Sequence, residues 1–312
     1  MFLHFIYIIV GLTVLAWSAD KLVHYAVSLA NHLGVTPFFI GVVIIGFGTS
    51  APEMLISALA ALDDAGGLAV GNALGSNIAN IGLVVGAAAL FSPLVLSRKI
   101  LRFDLNVLFV ITIITTVLIL DKNLDTIDGL ILSGCLTAFL IWSALSNMSE
   151  QVDDKIDDDD ISFTKSGLWT IFSLALLLSS SKLLLEGAIG LSEALGVSEL
   201  MIGLTVVAIG TSIPELAASI AAAKQNQTGL IIGNILGSNA FNTLGVLGIV
   251  GLLSDTDVSS DVLHRDFPML YGIMTLFTVL AVKRGKLGKP SGTILLVSYL
   301  SYLGFLIYNA LA

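Results

Sequence analysis

The chain is short of charge. Only 12% of its 312 residues are Asp, Glu, Lys or Arg, and 56% are hydrophobic. Soluble domains carry roughly 25% charged residues, so an ordinary soluble domain is excluded. Cysteine is nearly absent. Cys135 stands alone in an apolar run, so no internal disulfide can form and packing is its expected role. The four histidines, His4, His24, His32 and His264, show no metal-ligand spacing. Basic residues are outnumbered 14 to 23 by acids, for a net charge of −9, which gives nucleic acid no electrostatic footprint. The first apolar run also lacks the marks of a signal peptide. "MFLHF" has no Lys or Arg and no clear small-residue cleavage site follows, so this run is expected to stay as a span.

What is present is a succession of apolar runs near 20 residues, the length that crosses a bilayer. Ten spans are expected, at about 2–30, 36–62, 68–91, 103–120, 127–146, 166–190, 199–223, 229–253, 266–282 and 291–311. Between the fifth and sixth lies "SNMSEQVDDKIDDDDISFTKSG", acidic and poor in apolar residues, which reads as a solvated linker. The shortness of "DDDD" and its lack of an EF-hand pattern favour a linker over a Ca²⁺ sensor. The expected divisions are 1–147, a first five-helix unit, 148–165, the acidic linker, and 166–312, a second five-helix unit.

The two units repeat. "GFGTSAPE" at 46–53 recurs as "AIGTSIPE" at 208–215, and "GNALGSNIAN" at 71–80 recurs as "GNILGSNAFN" at 233–242. The offset is 162 residues each time. The same offset relates "LGV" at 33–35 to 195–197, and Asp104 to Asp266. Four matches at one spacing point to an internal duplication. With the N-terminus outside, the inside loops hold Arg98, Lys99, Arg102, Lys155, Lys165, Lys224, Lys283, Arg284, Lys286 and Lys289, and the outside loops only Lys122 and Arg265. This bias follows the positive-inside rule. It places both termini outside and the acidic linker in the cytoplasm. An odd number of spans per unit turns the second unit upside down, and inverted repeats of this kind place a site at the midplane where the halves meet. The fold class expected is therefore all-α integral membrane, ten transmembrane helices in two inverted five-helix repeats, with broken helices around a midplane site.

The doubled motif carries both a helix breaker and a charge in apolar surroundings. The helix is expected to break at Gly-Thr-Ser in each copy. Pro52 and Pro214 then sit in the first turn of a second half-helix, where a missing N–H costs nothing. Glu53 and Glu215 follow in that turn, at the positive end of the dipole. The break frees carbonyls of the preceding turn. Asn72, Ser76 and Asn80 fall at spacings of four on one helix face, as do Asn234, Ser238 and Asn242. Glycines between them allow close helix approach. With Thr49, Ser50, Thr211 and Ser212, almost every group offers oxygen, and none is His or Cys. Zinc and copper are disfavoured and hard cations favoured, whether Ca²⁺ with six to eight oxygens or Na⁺. Two bare glutamates carry about −2, which is costly to bury unpaired. One Ca²⁺, two Na⁺ or two protons cancel it, so a carrier that closes only when neutral must exchange one cation load for another.

"GTSAPE" and "GTSIPE", each followed by "GSNIAN" or "GSNAFN", resemble the two α-repeats of the calcium/cation antiporter superfamily, and most of all its prokaryotic sodium/calcium exchanger branch. The resemblance covers nearly the whole chain. It implies four cation sites in a diamond. Glu53 and Glu215 would be central ligands shared by Ca²⁺ and Na⁺. Thr49, Ser50, Thr211 and Ser212 would give hydroxyl or carbonyl oxygens, Ser76, Ser238 and Asn80 would complete the sites, and the carbonyls of Gly46 and Ala208 would bind Na⁺. Three Na⁺ against one Ca²⁺ and a sliding pair of first and sixth helices are further implications. Some relatives carry Asp where this chain has Asn242, opposite Asn80, so this pocket has one carboxylate fewer.

The expected function is a secondary active Na⁺/Ca²⁺ antiporter of the plasma membrane that extrudes Ca²⁺ by alternating access. It is not expected to be an enzyme, to need a cofactor, or to have a protein partner. The partners are Na⁺, Ca²⁺ and the bilayer. A Ca²⁺/H⁺ or K⁺-dependent exchanger of the same fold is the nearest rival. An intramembrane hydrolase using the paired carboxylates is a remote one, because acid–base catalysis needs its two carboxylates in different environments and these share their neighbours. A passive channel is disfavoured, since a closed, charge-balanced pocket suits a carrier. Asn72 and Asn234 read equally well as ligands or interhelical glue. Asp20, Lys21, Lys182 and Glu186 are expected in ion pairs or snorkelling, Asp104 and Asp266 as interface anchors, and the aromatics on lipid-facing or interfacial surface.

Overall fold

A computed structural model describes residues 1–97, 99–147, 161–196, 202, 206 and 208–311. The molecule is almost wholly helical. Helix α1 is Phe2–Leu33, α2 is Pro37–Leu62, α3 is Gly66–Phe91, and α4 runs over 100–121. Helix α5 is Thr126–Asn147 and α6 is Phe163–Ala194. After the short helical turn Ala208–Gly210 come α7, Ile213–Lys224, and α8, Thr228–Leu253. Helix α9 covers 262–284, and α10 is Lys289–Leu311. Eight of the described helices are long and apolar enough to cross a membrane, and 105–121 is a shorter apolar one. The expected span at 199–223 lies partly outside the described residues, as do residues 148–160 of the acidic linker. The end of that linker is described: Ser162 caps α6, its hydroxyl accepting from the Lys165 N–H.

Two ribbons show how the halves are arranged. Strand β1, Leu94–Val95, pairs antiparallel with β4, Lys286–Leu287, and β2, Asn123–Leu124, pairs with β3, Thr256–Asp257. β1 and β2 stand at opposite ends of α4, and β3 and β4 at opposite ends of α9. The 162-residue offset maps β1 onto β3, yet β1 pairs with β4. The start of α4 therefore lies beside the end of α9, and the two equivalent helices run in opposite directions. The packing of other helices repeats likewise. Gly129 of α5 meets the backbone of Gly248, Gly251 and Leu252 on α8, while Gly86 of α3 meets Gly292 and Leu296 on α10.

Helices α3 and α8 are the most enclosed. α8 lies against the start of α2 at backbone distance. An added Cβ on Gly237 would stand 2.6 Å from the Val42 carbonyl, and one on Gly41 2.6 Å from that of Leu230. The glycines of the second "GNxLGSN" motif are thus needed for close approach, as expected. Gly71 and Gly75 in the first have no such neighbour within 4 Å among the described residues.

The two 32-residue helices, α1 and α6, lie antiparallel against each other. Gly11 rests on Leu184, Gly187 on His4 and Tyr7, and the hydroxyls of Ser28 and Ser166 are 2.8 Å apart. At 1.5 Å per residue each is about 48 Å long, well beyond a hydrocarbon core of about 30 Å, so both must tilt or overhang. Trp169 stacks on Tyr25 at 5.2 Å and meets Trp17 edge-on at 6.4 Å. These aromatics join the two helices to each other instead of standing separately on the lipid face.

Candidate cation site

Both copies of the glutamate motif are buried where α2, α7 and α8 converge, but they are built differently. In the second copy Thr211 and Ser212 form a turn between Ala208–Gly210 and Ile213–Lys224. Pro214 stands in the first turn of α7 and Glu215 follows it, as the motif predicts. In the first copy the helix does not break. Residues Phe47–Leu62 are continuous α-helix, with Gly48, Thr49, Ser50 and Pro52 inside it. The irregularity lies one turn earlier, as a π-helical stretch at Gly41–Gly46. Pro52 still removes the N–H that would bond to the Gly48 carbonyl. Hydroxyls serve other carbonyls of this turn: Thr49 Oγ1 donates to Ile45 O at 3.0 Å, and Ser238 Oγ lies 3.4 Å from Gly46 O. The Gly48 carbonyl that Pro52 orphans is not among the acceptors these hydroxyls reach, yet the helix continues through it.

The two halves meet at this point. Thr49 Oγ1 lies 3.3 Å from Ser238 Oγ and 3.5 Å from both Asn234 Oδ1 and Gly46 O. The Glu53 carboxylate lies near enough to that of Glu215 for their charges to repel. Glu53 and Glu215 are 2% and 1% exposed. Thr49, Ser50, Ser76, Asn80, Ser212, Ser238 and Asn242 are all buried. Thr211, in the turn, is half-buried. Ala208 contributes backbone from the short helical turn, and its side chain lies outside the described set.

Several buried oxygens here have no protein partner: one carboxylate oxygen each of Glu53 and Glu215, the hydroxyls of Ser50 and Ser212, and the amide oxygens of Asn80 and Asn242. Buried polar atoms are normally satisfied. A cluster of orphaned oxygens around two carboxylates fits a hard cation. Among the described residues no three His, Cys, Asp or Glu side chains group as a metal cluster, and the donors are two acids joined by hydroxyls, amides and carbonyls.

Asn72 and Asn234 each donate to a serine of the preceding helix, Ser57 at 3.4 Å and Ser219 at 3.3 Å. Both pairs obey the repeat and link helices. Four further polar contributors were not singled out in the sequence: Ser57, Ser219, Asn77 and Asn239. Each pair recurs at the 162-residue offset, and that recurrence was the available signal. Thr243 has Ile81 as its counterpart, so no such signal marks it. Asp104 and Asp266 are buried, 4% and 6% exposed, and Asp266 is held by Arg265 at 2.7 Å and by the Tyr302 hydroxyl at 2.6 Å. Lys182 and Glu186 form the expected pair at 3.9 Å on an exposed face, and the Asp20 carboxylate accepts from Gln225 at 2.8 Å.

Known proteins resemble the chain along nearly its whole length. A family model described as sodium/calcium exchanger protein matches residues 3–145 and 165–308. The inner membrane protein YrbG of Escherichia coli is 32% identical over 309 residues, covering 96% of this chain and 95% of that protein. The sodium/calcium exchanger MaX1 of Methanosarcina acetivorans is 30% identical, covering 98% of this chain and 99% of that one. A crystal of the sodium-calcium exchanger NCX_Mj soaked with 10 mM Na⁺ and zero Ca²⁺ superimposes with a TM-score of 0.86 at 31% identity, over 97% of this chain and 98% of that one.

Proposed function

The chain belongs to the sodium/calcium exchanger protein family and is a multi-pass membrane protein, and from that premise we propose that it exchanges Na⁺ for Ca²⁺ across the plasma membrane by alternating access and extrudes Ca²⁺. The observation that carries this is the pair of buried glutamates, one from each half, each with an unpartnered oxygen and surrounded by oxygen donors. Glu53 and Glu215 are the central ligands. Thr49, Ser50, Thr211 and Ser212, with Ser76, Ser238, Asn80, Asn242 and the carbonyls of Gly46 and Ala208, supply the remaining oxygens. Two carboxylates buried together are costly unless neutralised. One Ca²⁺ neutralises them, and so do two Na⁺. The closed, mobile form is therefore reached only with one load or the other, and exchange is obligatory. Neutralisation by itself sets two Na⁺ against one Ca²⁺; a third Na⁺, which the family resemblance implies, would bind on neutral oxygens and carry one net positive charge across. The termini lie outside and the acidic linker in the cytoplasm, in accord with the placement of Lys and Arg. Residues 1–147 and 166–312 act as the two halves.

The test is uptake of ⁴⁵Ca²⁺ into proteoliposomes. An outward-directed Na⁺ gradient drives uptake by wild type, and Glu53→Gln and Glu215→Gln abolish it. Uptake driven by a pH gradient alone would replace Na⁺ by H⁺ as coupling ion. A requirement for K⁺ would assign the K⁺-dependent class. Rapid Ca²⁺ transport by either glutamine variant would overturn the neutralisation mechanism.

A further inference from the structure

The 162-residue repeat makes a definite demand on four amides. Asn80 corresponds to Asn242, and Asn77 to Asn239. Asn80 Nδ2 donates to Asn239 Oδ1 at 2.9 Å, which turns the Asn80 oxygen away from Asn239 and leaves it without a protein partner. By the repeat, Asn242 Nδ2 should donate to Asn77 Oδ1. It does not: both polar atoms of Asn242 and the Asn77 oxygen are buried without a partner. Asn77 Nδ2 is bonded instead to Thr243 Oγ1 at 2.7 Å. At the corresponding place in the first half stands Ile81, which has no hydroxyl. All five polar residues are at most 1% exposed, so water from outside does not explain the difference.

We infer that Thr243 is a positioning residue: by capturing Asn77 it leaves the Asn242 amide unanchored, while Asn239 locks that of Asn80. This deepens the exchange function and rests on it. The pocket then has one fixed and one adjustable amide oxygen at equivalent positions. A fixed oxygen suits one coordination distance. An adjustable one follows a change of cation, and Ca²⁺ tolerates the most varied oxygen geometry. Asn242 takes the role of the optional ligand that turns in for Ca²⁺ and out for Na⁺.

A double-mutant cycle tests this. Thr243→Val removes the hydroxyl at nearly constant volume and releases Asn77 to engage Asn242. Asn77→Leu removes the competing amide. Half-saturating Ca²⁺ is measured for purified protein by Ca²⁺-dependent thermal stabilisation and, separately, by transport. Thr243→Val is expected to raise half-saturating Ca²⁺ about tenfold, with a much smaller change in maximal rate, and to do so only when Asn77 is present; coupling of that size is usual for contacting polar groups. In the Asn77→Leu background the same substitution is expected to change the value less than about threefold. Thr243→Ser, which keeps the acceptor oxygen, restores wild-type behaviour. Equal effects of Thr243→Val in both backgrounds, or failure of Thr243→Ser to rescue, would overturn the assignment. Wild-type protein that binds Ca²⁺ but does not exchange it for Na⁺ would sink the exchange function alone, since the cycle read from binding still decides the role of Thr243.

Discussion

Gly46→Ala tests how closely the two halves must approach. The added Cβ would lie 2.9 Å from the Ser238 backbone nitrogen and 3.1 Å from both C and Cα of Gly237, whereas ordinary contact begins at 3.4 Å. All three atoms are backbone, so no side chain can swing aside. Helix α8 must retreat from α2 by about half an ångström, judged against ordinary carbon contact distances. Ser238 Oγ already stands 3.4 Å from the Gly46 carbonyl, so that retreat carries it out of hydrogen-bonding range. Overpacking strain of about 1–3 kcal/mol adds to about 1–3 kcal/mol for buried groups left unpaired, giving a loss of about 2–6 kcal/mol. For a chain of this size that corresponds to a fall in melting temperature of about 3–9 °C. Thermal unfolding in detergent, read by intrinsic fluorescence, measures it. Gly304→Ala is the control, since its Cβ meets nothing within 4 Å. If Gly46→Ala melts within about 1 °C of the control, the close backbone approach is not holding the halves together.

Two other substitutions have expected outcomes. Tyr302→Phe removes the 2.6 Å hydrogen bond to Asp266 but leaves its contact with Arg265, so stability should fall by about 1–2 kcal/mol with the Na⁺ dependence of uptake unchanged; an altered Na⁺ dependence would place Asp266 in the transport path. Asn242→Asp adds a third carboxylate to the buried pocket and so a third charge for the cation load to balance. Ca²⁺ uptake should then become more sensitive to external pH than in wild type, and a pH profile identical to wild type would show that residue 242 does not share the cation field.

The eight spans among the described residues that are long and apolar enough to cross a membrane could be read with boundaries good to a few residues, because length and hydropathy are imposed by the bilayer itself. The opposite direction of equivalent helices could be read too, since duplication leaves the same residues at a fixed offset. What failed was local. Pro52 and Pro214 have almost the same sequence around them, and a helix break was expected at both. Whether a proline unwinds a helix at this depth depends on tertiary packing around the turn, and here that packing comes from the other half, with Ser238 reaching Gly46 from 192 residues away. The π-helical stretches at Gly41–Gly46, Asn80–Val85 and Phe241–Val246 leave no periodic mark, because these mostly buried segments are apolar nearly all round and carry no polar stripe whose rotation by an inserted residue could be read. Asp104 and Asp266 were placed at the membrane surface by their position near span starts. That Asp266 would also be buried was not legible, because its partner Tyr302 belongs to another helix.

The unequal glutamate motifs lead to a last expectation. A carrier built from inverted repeats faces one side of the membrane only when its two halves differ in conformation, because identical halves would make the two sides equivalent. The differences recorded here are an unbroken helix through Gly48, Thr49 and Ser50 and a turn at Thr211 and Ser212, where the Ser212 N–H reaches back three residues to Ile209 O at 3.1 Å. Amides in a continuous buried helix exchange slowly and those at a break open locally. Hydrogen exchange followed by mass spectrometry should therefore find peptides over 47–51 protected and those over 210–213 labelled early. Conditions that reverse the carrier's facing should narrow or invert the contrast, the break passing to the first copy, where Pro52 has already removed one helical bond. Equal protection of both copies under every ionic condition would mean that the broken and unbroken motifs are fixed features, and that the change of facing lies elsewhere, in the packing of α1 and α6 against the rest.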